Sequence, residues 1–138
     1  FKDVHNAFGG NMKMFISGAA ALDPDIIEDF NYMGINTFQG YGMTESSPII
    51  AVHRDRFHEP AASVGPAMPN TEIVIDDPDS DGVGEIVVKS DSVMLGYYEA
   101  PEETAKVLKD GWLRTGDYGS RQGRNALYNR KKKERYRY

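Results

Sequence analysis

The sequence predicts an α/β fold: the end of a mixed-sheet subdomain of the βαβ type, followed by a small, barrel-like antiparallel β subdomain. Three observations support this prediction. Two short apolar runs flank one amphipathic helical segment within residues 1–60. Prolines and glycines interrupt the chain at 60–69, and several short β-type runs follow. We expect boundaries at 1–60, 61–119 and 120–138, the last being a basic tail.

The first predicted unit is a strand, a helix and a second strand, in that order. Residues 13–17 (KMFIS) are a short apolar run typical of a buried strand. The helix has clear ends, because Asp23 is a suitable N-cap, Pro24 suits the first helical position and Gly34 suits the residue after the last turn. Residues 35–39 are a second buried run. This order predicts a parallel βαβ unit.

Small residues follow both predicted strands. Residues 17–21 (SGAAA) and 40–45 (GYGMTE) each begin where a strand ends. Ligands of open parallel sheets bind at the carboxyl ends of the strands, where glycine lets other groups approach the backbone. We therefore expect the two loops to lie side by side and to form a binding site.

The second half of the sequence predicts mainly strands. Residues 71–75 and 85–89 are β-type runs separated by an acidic turn, and 93–98 is a third such run. A short helix is expected at 101–108, and a last strand at 112–115 (WLRT). These elements predict a mostly antiparallel β unit.

Composition excludes several classes of protein. Of the 138 residues, 40% are hydrophobic and 27% are charged, which is too many large side chains for a disordered chain. The sequence shows no run of 18 apolar residues, which argues against membrane spans, and it shows no secretory signal pattern. It has no cysteine, so disulfides and thiolate metal sites are excluded. An intracellular, cytoplasmic location is the expectation.

The net charge of −5 is unevenly distributed along the chain. Residues 121–138 hold eight of the 16 basic residues and one of the 21 acidic residues, so this tail carries +7 and residues 1–120 carry −12. An acidic body with a basic tail leaves open a contact with nucleic acid or with an anionic lipid surface. It excludes a uniformly basic nucleic-acid-binding domain.

The most informative motif is QGYGMTE at residues 39–45. A tyrosine ring can stack on a purine, glycines let backbone N–H groups approach a phosphate, a threonine hydroxyl can donate to a phosphate oxygen, and a glutamate can bind Mg²⁺. The same residues also fit a tight turn in which Thr44 is an N-cap and Glu45 lies in the first helical turn. On these residues alone, both interpretations stay open.

The motif at 41–45 (YGMTE) resembles the signature of the adenylate-forming superfamily, which includes acyl-CoA synthetases, luciferases and the adenylation domains of peptide synthetases. Other segments are similar to that superfamily in the same order along the chain: 17–22 (SGAAAL), 63–69 (SVGPAMP), 84–88 (GEIVV), 94–98 (MLGYY) and 111–117 (GWLRTGD). The match covers residues 10–119 and looks most like fatty-acyl-CoA synthetases. It implies a partial domain of the acetyl-CoA synthetase-like fold.

The resemblance implies a two-step ligase reaction. A carboxylate attacks the α-phosphate of Mg·ATP to give an acyl-adenylate and pyrophosphate, and coenzyme A then attacks to give a thioester and AMP. The cofactors implied are ATP and Mg²⁺, with a fatty acid and coenzyme A as the other substrates. Such enzymes act mainly by positioning and charge stabilisation. An adenylating enzyme for an aromatic or amino acid is the alternative within the superfamily.

The resemblance also implies a role for each matched residue. Tyr41 would stack on adenine, while Thr44 would hydrogen-bond phosphate and Glu45 would bind Mg²⁺ as the two catalytic residues. Asp117 would accept hydrogen bonds from the ribose hydroxyls, since a carboxylate is acceptor-only. The other residues expected in the nucleotide and acyl pocket are Gly18, Ala19, Ala20, Gln39, Gly40, Gly42 and Met43. Without the resemblance, Asp117 is equally an ordinary turn residue and Met43 a core residue.

Parts of the superfamily pattern do not occur in this sequence. The phosphate-binding loop with its lysine and the C-terminal domain with its catalytic lysine are not found, so we expect a fragment of the large N-terminal domain that shows no pyrophosphate exchange by itself. Residues 127–132 (LYNRKK) resemble the family hinge, with Arg130 as a ribose-binding arginine, but the acidic turn before them is missing.

The basic tail is therefore expected to be a disturbed hinge, with a solvated tail as the alternative. The competing function is a non-catalytic module that binds nucleic acid or anionic lipid through this tail. No nucleic-acid partner is expected, whereas peripheral membrane contact and the oligomeric state are left open.

Overall fold

The computed structural model of the chain describes residues 1–55, 59–122 and 126–130. In this part of the chain, three short helices, eight strands and one 3₁₀ turn form a mixed three-stranded sheet and an antiparallel five-stranded sheet. The elements are α1 (Lys2–Ala7), β1 (Met14–Ser17), α2 (Pro24–Tyr32), β2 (Asn36–Gly42), the 3₁₀ turn (Thr44–Ser46), β3 (Ile49–Val52), β4 (Thr71–Asp76), β5 (Gly84–Ser90), α3 (Pro101–Val107), β6 (Leu108–Lys109), β7 (Trp112–Gln122) and β8 (Ala126–Arg130).

The first sheet has the order β1-β2-β3 and confirms the predicted βαβ unit. β1 runs parallel to β2 and ends with Ser17 opposite Gln39, while α2 is the crossover between the strands. The predicted helix start is confirmed, because the Asp25 N–H donates to the Asp23 side chain at 3.0 Å. Gly34 has φ +83 just after the helix, as a C-terminal glycine should. β3 adds antiparallel to β2 and makes the sheet mixed.

The prediction that β1 is buried is wrong. The side chains of Met14, Phe15 and Ile16 are exposed. β1 lies at the edge of the described sheet, and the ring of Phe30 in α2, which stacks on Phe15 with centroids 6.4 Å apart, covers it only in part. A continuous apolar run is typical of a strand covered on both faces, so its sequence does not distinguish an edge position from a buried one.

The second sheet is antiparallel and curls into a half-barrel, as predicted. β5 pairs with β4 on one side and with β7 on the other. The second edge of β7 pairs with β6 at its beginning and with β8 at its end. The predicted strands at 71–75, 85–89 and 112–115 and the helix at 101–108 therefore correspond to β4, β5, β7 and α3.

The strand predicted at residues 93–98 is wrong, because this segment is a loop. Gly96 has φ +151, which takes the backbone out of the extended conformation. The Met94 N–H donates to the Glu45 carbonyl oxygen at 2.8 Å, so it is not paired with a strand of the second sheet. The loop contacts the 3₁₀ turn of the first sheet instead of joining the second sheet.

A bulge interrupts the pairing of β5 with β7. Val87 lies opposite Arg114 and Glu85 lies opposite Tyr118, so one residue of β5 faces the three residues 115–117 of β7. Bulges re-aim side chains and often lie beside functional sites. This bulge carries one of the predicted site residues out of the regular ladder.

The two sheets share one hydrophobic core. Ile50 and Ala51 of β3 are fully buried together with Ile86 and Val88 of β5 and Leu127 of β8. Fully burying one of the larger aliphatic side chains stabilises a fold by about 1.5–3 kcal/mol. The core crosses the boundary expected after residue 60, and the division of the chain into subdomains stays a prediction.

The basic tail is only partly described. β8 lies within the segment predicted as a tail and pairs with β7, whereas residues 131–138 lie outside the described residues. The hinge, nucleic-acid and lipid interpretations of the tail therefore stay predictions. None of the helices in the described ranges has the length and apolar character that a membrane span needs.

Candidate functional site

Two neighbouring cavities lie where β1 and β2 end. Both are lined by Ala19 of the loop after β1 and by Gly40, Tyr41 and Gly42 of β2. The other residues of the first cavity are Ala20, Ala21, Gln39, Ala62, Val64 and Asp117. The other residues of the second cavity are Gly18, Met43, Thr44, Pro48, Ile49 and Val52. The fold thus brings ten of the predicted site residues to the walls of these two cavities: Gly18, Ala19, Ala20, Gln39, Gly40, Tyr41, Gly42, Met43, Thr44 and Asp117.

Tyr41 and Asp117 connect the two sheets at the first cavity. The Tyr41 hydroxyl donates to Oδ2 of Asp117 at 2.8 Å. The Tyr41 side chain is buried in the core, and this burial, together with the Asp117 carboxylate, raises the pKa of Tyr41 far above its usual value. The hydroxyl therefore remains a donor at neutral pH and fixes the direction of the carboxylate.

The bulge in β7 holds Asp117 in place through three hydrogen bonds. The Thr115 hydroxyl donates to the Ile86 carbonyl oxygen at 2.7 Å and accepts from the Asp117 N–H at 3.1 Å. The Gly116 N–H donates to Oε1 of Glu85 at 3.1 Å. Gly116 has φ +73, a conformation that glycine adopts without steric cost. Asp117 therefore lies in the bulge of β7 and not in a turn, and its N–H, through Thr115, and that of Gly116 are both tied to β5.

Glu85 is held in turn by Arg114 on the outer surface. The Arg114 guanidinium donates to Asp76 at 2.8 Å and also to Glu85. These hydrogen bonds, with that to Asp76 the strongest cause, raise the pKa of Arg114 further above its usual value. Because both Arg114 and Asp76 are exposed, the pairs contribute little stability, and their effect is to orient Glu85 toward the bulge.

Gln39 ties two loops to the end of β2. Its buried side chain accepts a hydrogen bond from the Leu22 N–H at 2.9 Å and donates to the Ala61 carbonyl oxygen at 2.7 Å. A buried amide with backbone partners at both ends is a strong structural contact. Gln39 therefore shapes the first cavity as well as lining it, which the sequence motif did not indicate.

The close approach of the chain after the 3₁₀ turn explains one glycine of the motif. A β-carbon on Gly42 would lie 1.9 Å from the Pro48 carbonyl oxygen, so no side chain fits there. A β-carbon on Gly18 would lie 3.7 Å from its nearest neighbour, the Gly40 carbonyl oxygen, which is an ordinary contact. Ala19 has φ +70, a conformation that costs energy for a residue other than glycine and that often occurs at functional sites.

The 3₁₀ turn presents the predicted phosphate and metal residues. Its N-cap is Met43, so the interpretation of Thr44 as an N-cap is wrong, although Glu45 does lie in the first turn. Met43 fills the cap position because its backbone is extended and its N–H bonds to the Ser46 hydroxyl at 3.3 Å. Thr44 is exposed beside the second cavity, whereas Met43 both lines that cavity and packs against the core.

Glu45 has a side-chain partner from a distant loop. The Tyr97 hydroxyl donates to Oε1 of Glu45 at 2.8 Å. This hydrogen bond is the main reason why the pKa of Tyr97 is raised. The Oε2 atom accepts no hydrogen bond from any residue that the structure describes.

The donor set around Glu45 fits Mg²⁺ only when phosphate completes it. Mg²⁺ keeps several waters and is usually held by one or two carboxylates together with substrate phosphates. Within the described ranges, no group of three or more His, Asp or Glu side chains could hold a metal ion without other ligands. Glu45, with one carboxylate oxygen that no described residue engages, would fit such a shared site as its single carboxylate ligand.

The backbone pairing of β8 places Arg130 near the site. It lies opposite Tyr118, the residue after Asp117, in the pairing of β8 with β7. Its side chain is outside the part of the structure that is described, so its role as a ribose-binding residue stays a prediction.

Sequence reasoning missed seven residues of the site, among them Ala21, Pro48, Ile49 and Val52 at the cavity walls. Ala62 and Val64 line the first cavity, and Tyr97 contacts Glu45. The segments 63–69 and 94–98 had matched the superfamily pattern, so a signal was present, but which side chains turn toward the site depends on tertiary packing.

The fold defines a class: it is part of the N-terminal domain of acyl-CoA synthetase-like proteins. The N-terminal domain of FACL13 from Mycobacterium tuberculosis superimposes with a TM-score of 0.73 at 30% identity, covering 86% of this chain and 31% of that chain. Apo MatB from Rhodopseudomonas palustris superimposes with a TM-score of 0.80 at 29% identity, covering 91% of this chain and 26% of that chain.

Sequence comparison identifies the family. Residues 2–98 match the family model described as AMP-binding enzyme. A long-chain-fatty-acid–CoA ligase of Haemophilus influenzae is 40% identical over 112 residues, which are 77% of this chain and 20% of that protein. 4-Coumarate–CoA ligase 2 of Solanum tuberosum is 34% identical over 129 residues, 84% of this chain and 24% of that protein. The chain belongs to the AMP-binding enzyme family, and it spans about a fifth of the length of the curated relatives it matches.

Proposed function

We propose that this chain forms the nucleotide-binding part of an AMP-forming acyl-CoA ligase, which activates a fatty acid with ATP and transfers the acyl group to coenzyme A. The observation that carries the proposal is the hydrogen bond between Tyr41 and Asp117 at the wall of the first cavity. It presents an oriented carboxylate beside an aromatic ring and several small residues. This combination suits the hydroxyls of a ribose and the flat face of a purine.

Asp117 would recognise the ribose. The Tyr41 hydroxyl engages Oδ2, and Oδ1 accepts no hydrogen bond from the described residues, so Oδ1 is available to a ribose hydroxyl. Tyr41 lines both cavities, and the neighbouring Ala19 and Ala20 leave room for adenine beside its ring. The sugar and the base would therefore be held by the same pair of residues.

The 3₁₀ turn would bind the phosphates. The exposed Thr44 hydroxyl lies beside the second cavity, where it can donate to a phosphate oxygen. Glu45 would hold Mg²⁺, and that ion, when bound, neutralises phosphate charge. The backbone of the turn, fixed by the hydrogen bonds between Met43 and Ser46, keeps Thr44 and Glu45 in a constant relation to each other.

A fatty acid is the acid that we favour, with coenzyme A as the acceptor. The second cavity has apolar walls from Met43, Ile49 and Val52, which suit an apolar acyl chain. Relatives named long-chain-fatty-acid–CoA ligase reach 40% identity, against 34% for the 4-coumarate–CoA ligase of Solanum tuberosum. An aromatic acid is the alternative, because the same relatives include that enzyme.

Acid-dependent exchange of pyrophosphate into ATP tests the proposal in the complete gene product. A long-chain fatty acid, 4-coumarate and an amino acid are compared at equal concentration. Glu45→Ala should lower the exchange rate at least about a hundredfold through lost Mg²⁺ placement. Glu102→Ala is the matched control, because Glu102 is an exposed carboxylate in the first turn of α3.

The outcomes separate the claims. Exchange with the fatty acid, lost in Glu45→Ala and kept in Glu102→Ala, supports the proposed ligase. Exchange with 4-coumarate or the amino acid alone overturns the fatty-acid assignment, and no exchange with any acid overturns the adenylating activity.

A further inference from the structure

The loop at residues 93–98 contacts Glu45 twice, although the proposed function gives this loop no role. The Met94 N–H donates to the Glu45 carbonyl oxygen at 2.8 Å, and the Tyr97 hydroxyl donates to Oε1 of the same residue at 2.8 Å. The loop thus holds both the backbone and the side chain of Glu45. These are contacts between residues about fifty positions apart, so they depend on the tertiary fold.

Tyr97 is itself fixed by α3. The Tyr97 N–H donates to the Thr104 hydroxyl at 2.9 Å, and that hydroxyl donates to the Ala100 carbonyl oxygen at 2.9 Å. A β-carbon on Gly96 would lie 2.9 Å from the Thr104 side chain, so glycine permits this close approach. A connected series of hydrogen bonds therefore runs from α3 through Tyr97 to the carboxylate.

We propose that Tyr97 is a positioning residue for Glu45: its hydroxyl holds Oε1 and so directs the free Oε2 toward Mg²⁺ bound with the nucleotide. This inference rests on the proposed function. Glu45 has three rotatable bonds and, among the described residues, one side-chain hydrogen-bond partner, so without Tyr97 it must be ordered when the ion binds. Removing a residue that hydrogen-bonds to a metal ligand typically lowers metal affinity or activity by about 10–100-fold.

Tyr97→Phe in the complete gene product removes only the hydroxyl. Mn²⁺ serves as a spectroscopic probe, and its affinity is measured by electron paramagnetic resonance in the presence of a non-hydrolysable ATP analogue. We expect the Mn²⁺ dissociation constant to rise about tenfold. The Mg²⁺ concentration for half-maximal exchange should rise in parallel, while the rate at saturating Mg²⁺ stays within about twofold.

Tyr98→Phe is the matched control, because Tyr98 is the next residue, carries the same group and is 90% exposed, against 39% for Tyr97. Thr104→Val gives a second variant that acts on Tyr97 from α3 and should show a smaller rise. The inference is overturned if the Mn²⁺ dissociation constant of Tyr97→Phe stays within about twofold of wild type. It is also overturned if Tyr98→Phe raises that constant as much as Tyr97→Phe does. Glu45→Gln distinguishes the two proposals: if it also leaves Mn²⁺ affinity unchanged, the assignment of Glu45 as a metal ligand fails first.

Discussion

The hydroxyl of Tyr41 and the carboxylate of Asp117 are 76 positions apart in the chain and 2.8 Å apart in the fold. Tyr41 lies in β2 of the mixed sheet and Asp117 lies in the bulge of β7 in the antiparallel sheet. The contact therefore joins the two sheets at the cavity wall, and it links the stability of this junction to the geometry of the proposed ribose site.

Tyr41→Phe should destabilise the protein and weaken nucleotide binding together. The variant keeps the buried ring but leaves Asp117 without its donor, and a hydrogen bond to a charged group is worth about 1.5–3 kcal/mol. Because Asp117 is only partly buried, water can take the place of the lost donor in part. We therefore expect the free energy of unfolding to fall by about 1 kcal/mol. Urea denaturation and AMP titration of the complete gene product measure the two effects. Tyr32→Phe, at an exposed tyrosine, should change neither.

Stability at alkaline pH should depend on Tyr41. Its pKa is raised in the folded protein, first by burial and then by Asp117, whereas the unfolded chain has the ordinary value of about 10. The contribution of the protonated hydroxyl is therefore fully present below about pH 10 and is lost as pH rises further. The stability difference between wild type and Tyr41→Phe should be constant from pH 7 to 9 and should shrink above pH 10 by up to about 1.4 kcal/mol per pH unit. A difference that stays constant to pH 11 would contradict this assignment.

Local signals in the sequence predicted α2 and β2 well, whereas contacts between distant segments could not be predicted from local patterns. Asp23 and Gly34 act within their own turns, so capping rules were sufficient to place the helix. The pairing of Tyr41 with Asp117 depends on how two sheets pack, and the motif could place both residues in one site only by resemblance. Tyr97 was missed for the same reason, since its loop was predicted as a strand.

Gly42→Ala should lower the melting temperature clearly, and Gly18→Ala should not. The new methyl group at Gly42 would overlap the Pro48 carbonyl oxygen, and moving that backbone disrupts the pairing of β2 with β3. Overpacking of this kind costs about 1–3 kcal/mol or more. Gly18 has room for a methyl group, so its variant should keep the wild-type melting temperature while narrowing the second cavity. Equal melting temperatures for the two variants would contradict the steric argument.

Thr115→Val should loosen the bulge that holds Asp117. The substitution keeps the shape of the side chain but removes the hydroxyl that donates to the Ile86 carbonyl oxygen and accepts from the Asp117 N–H. A loss of about 1–2 kcal/mol in unfolding free energy is expected, with weaker AMP binding. Thr115→Ser retains the hydroxyl and should recover most of the AMP affinity. If serine and valine behave alike, the hydroxyl does not position Asp117.

Gln39→Glu tests whether the buried amide donates as well as accepts. A carboxylate at this position can still accept from the Leu22 N–H, but it faces the Ala61 carbonyl oxygen with no proton to donate. Burial and this carbonyl should both raise the pKa of the new carboxyl above its unfolded value. The stability of the variant relative to wild type should therefore be greatest below the unfolded pKa, near pH 4, and should fall as pH rises through the folded pKa. Thermal melts of both proteins from pH 4 to pH 8 measure the difference. A relative stability that does not change with pH would show that Ala61 requires no donor from residue 39, and that the amide is held by Leu22 alone.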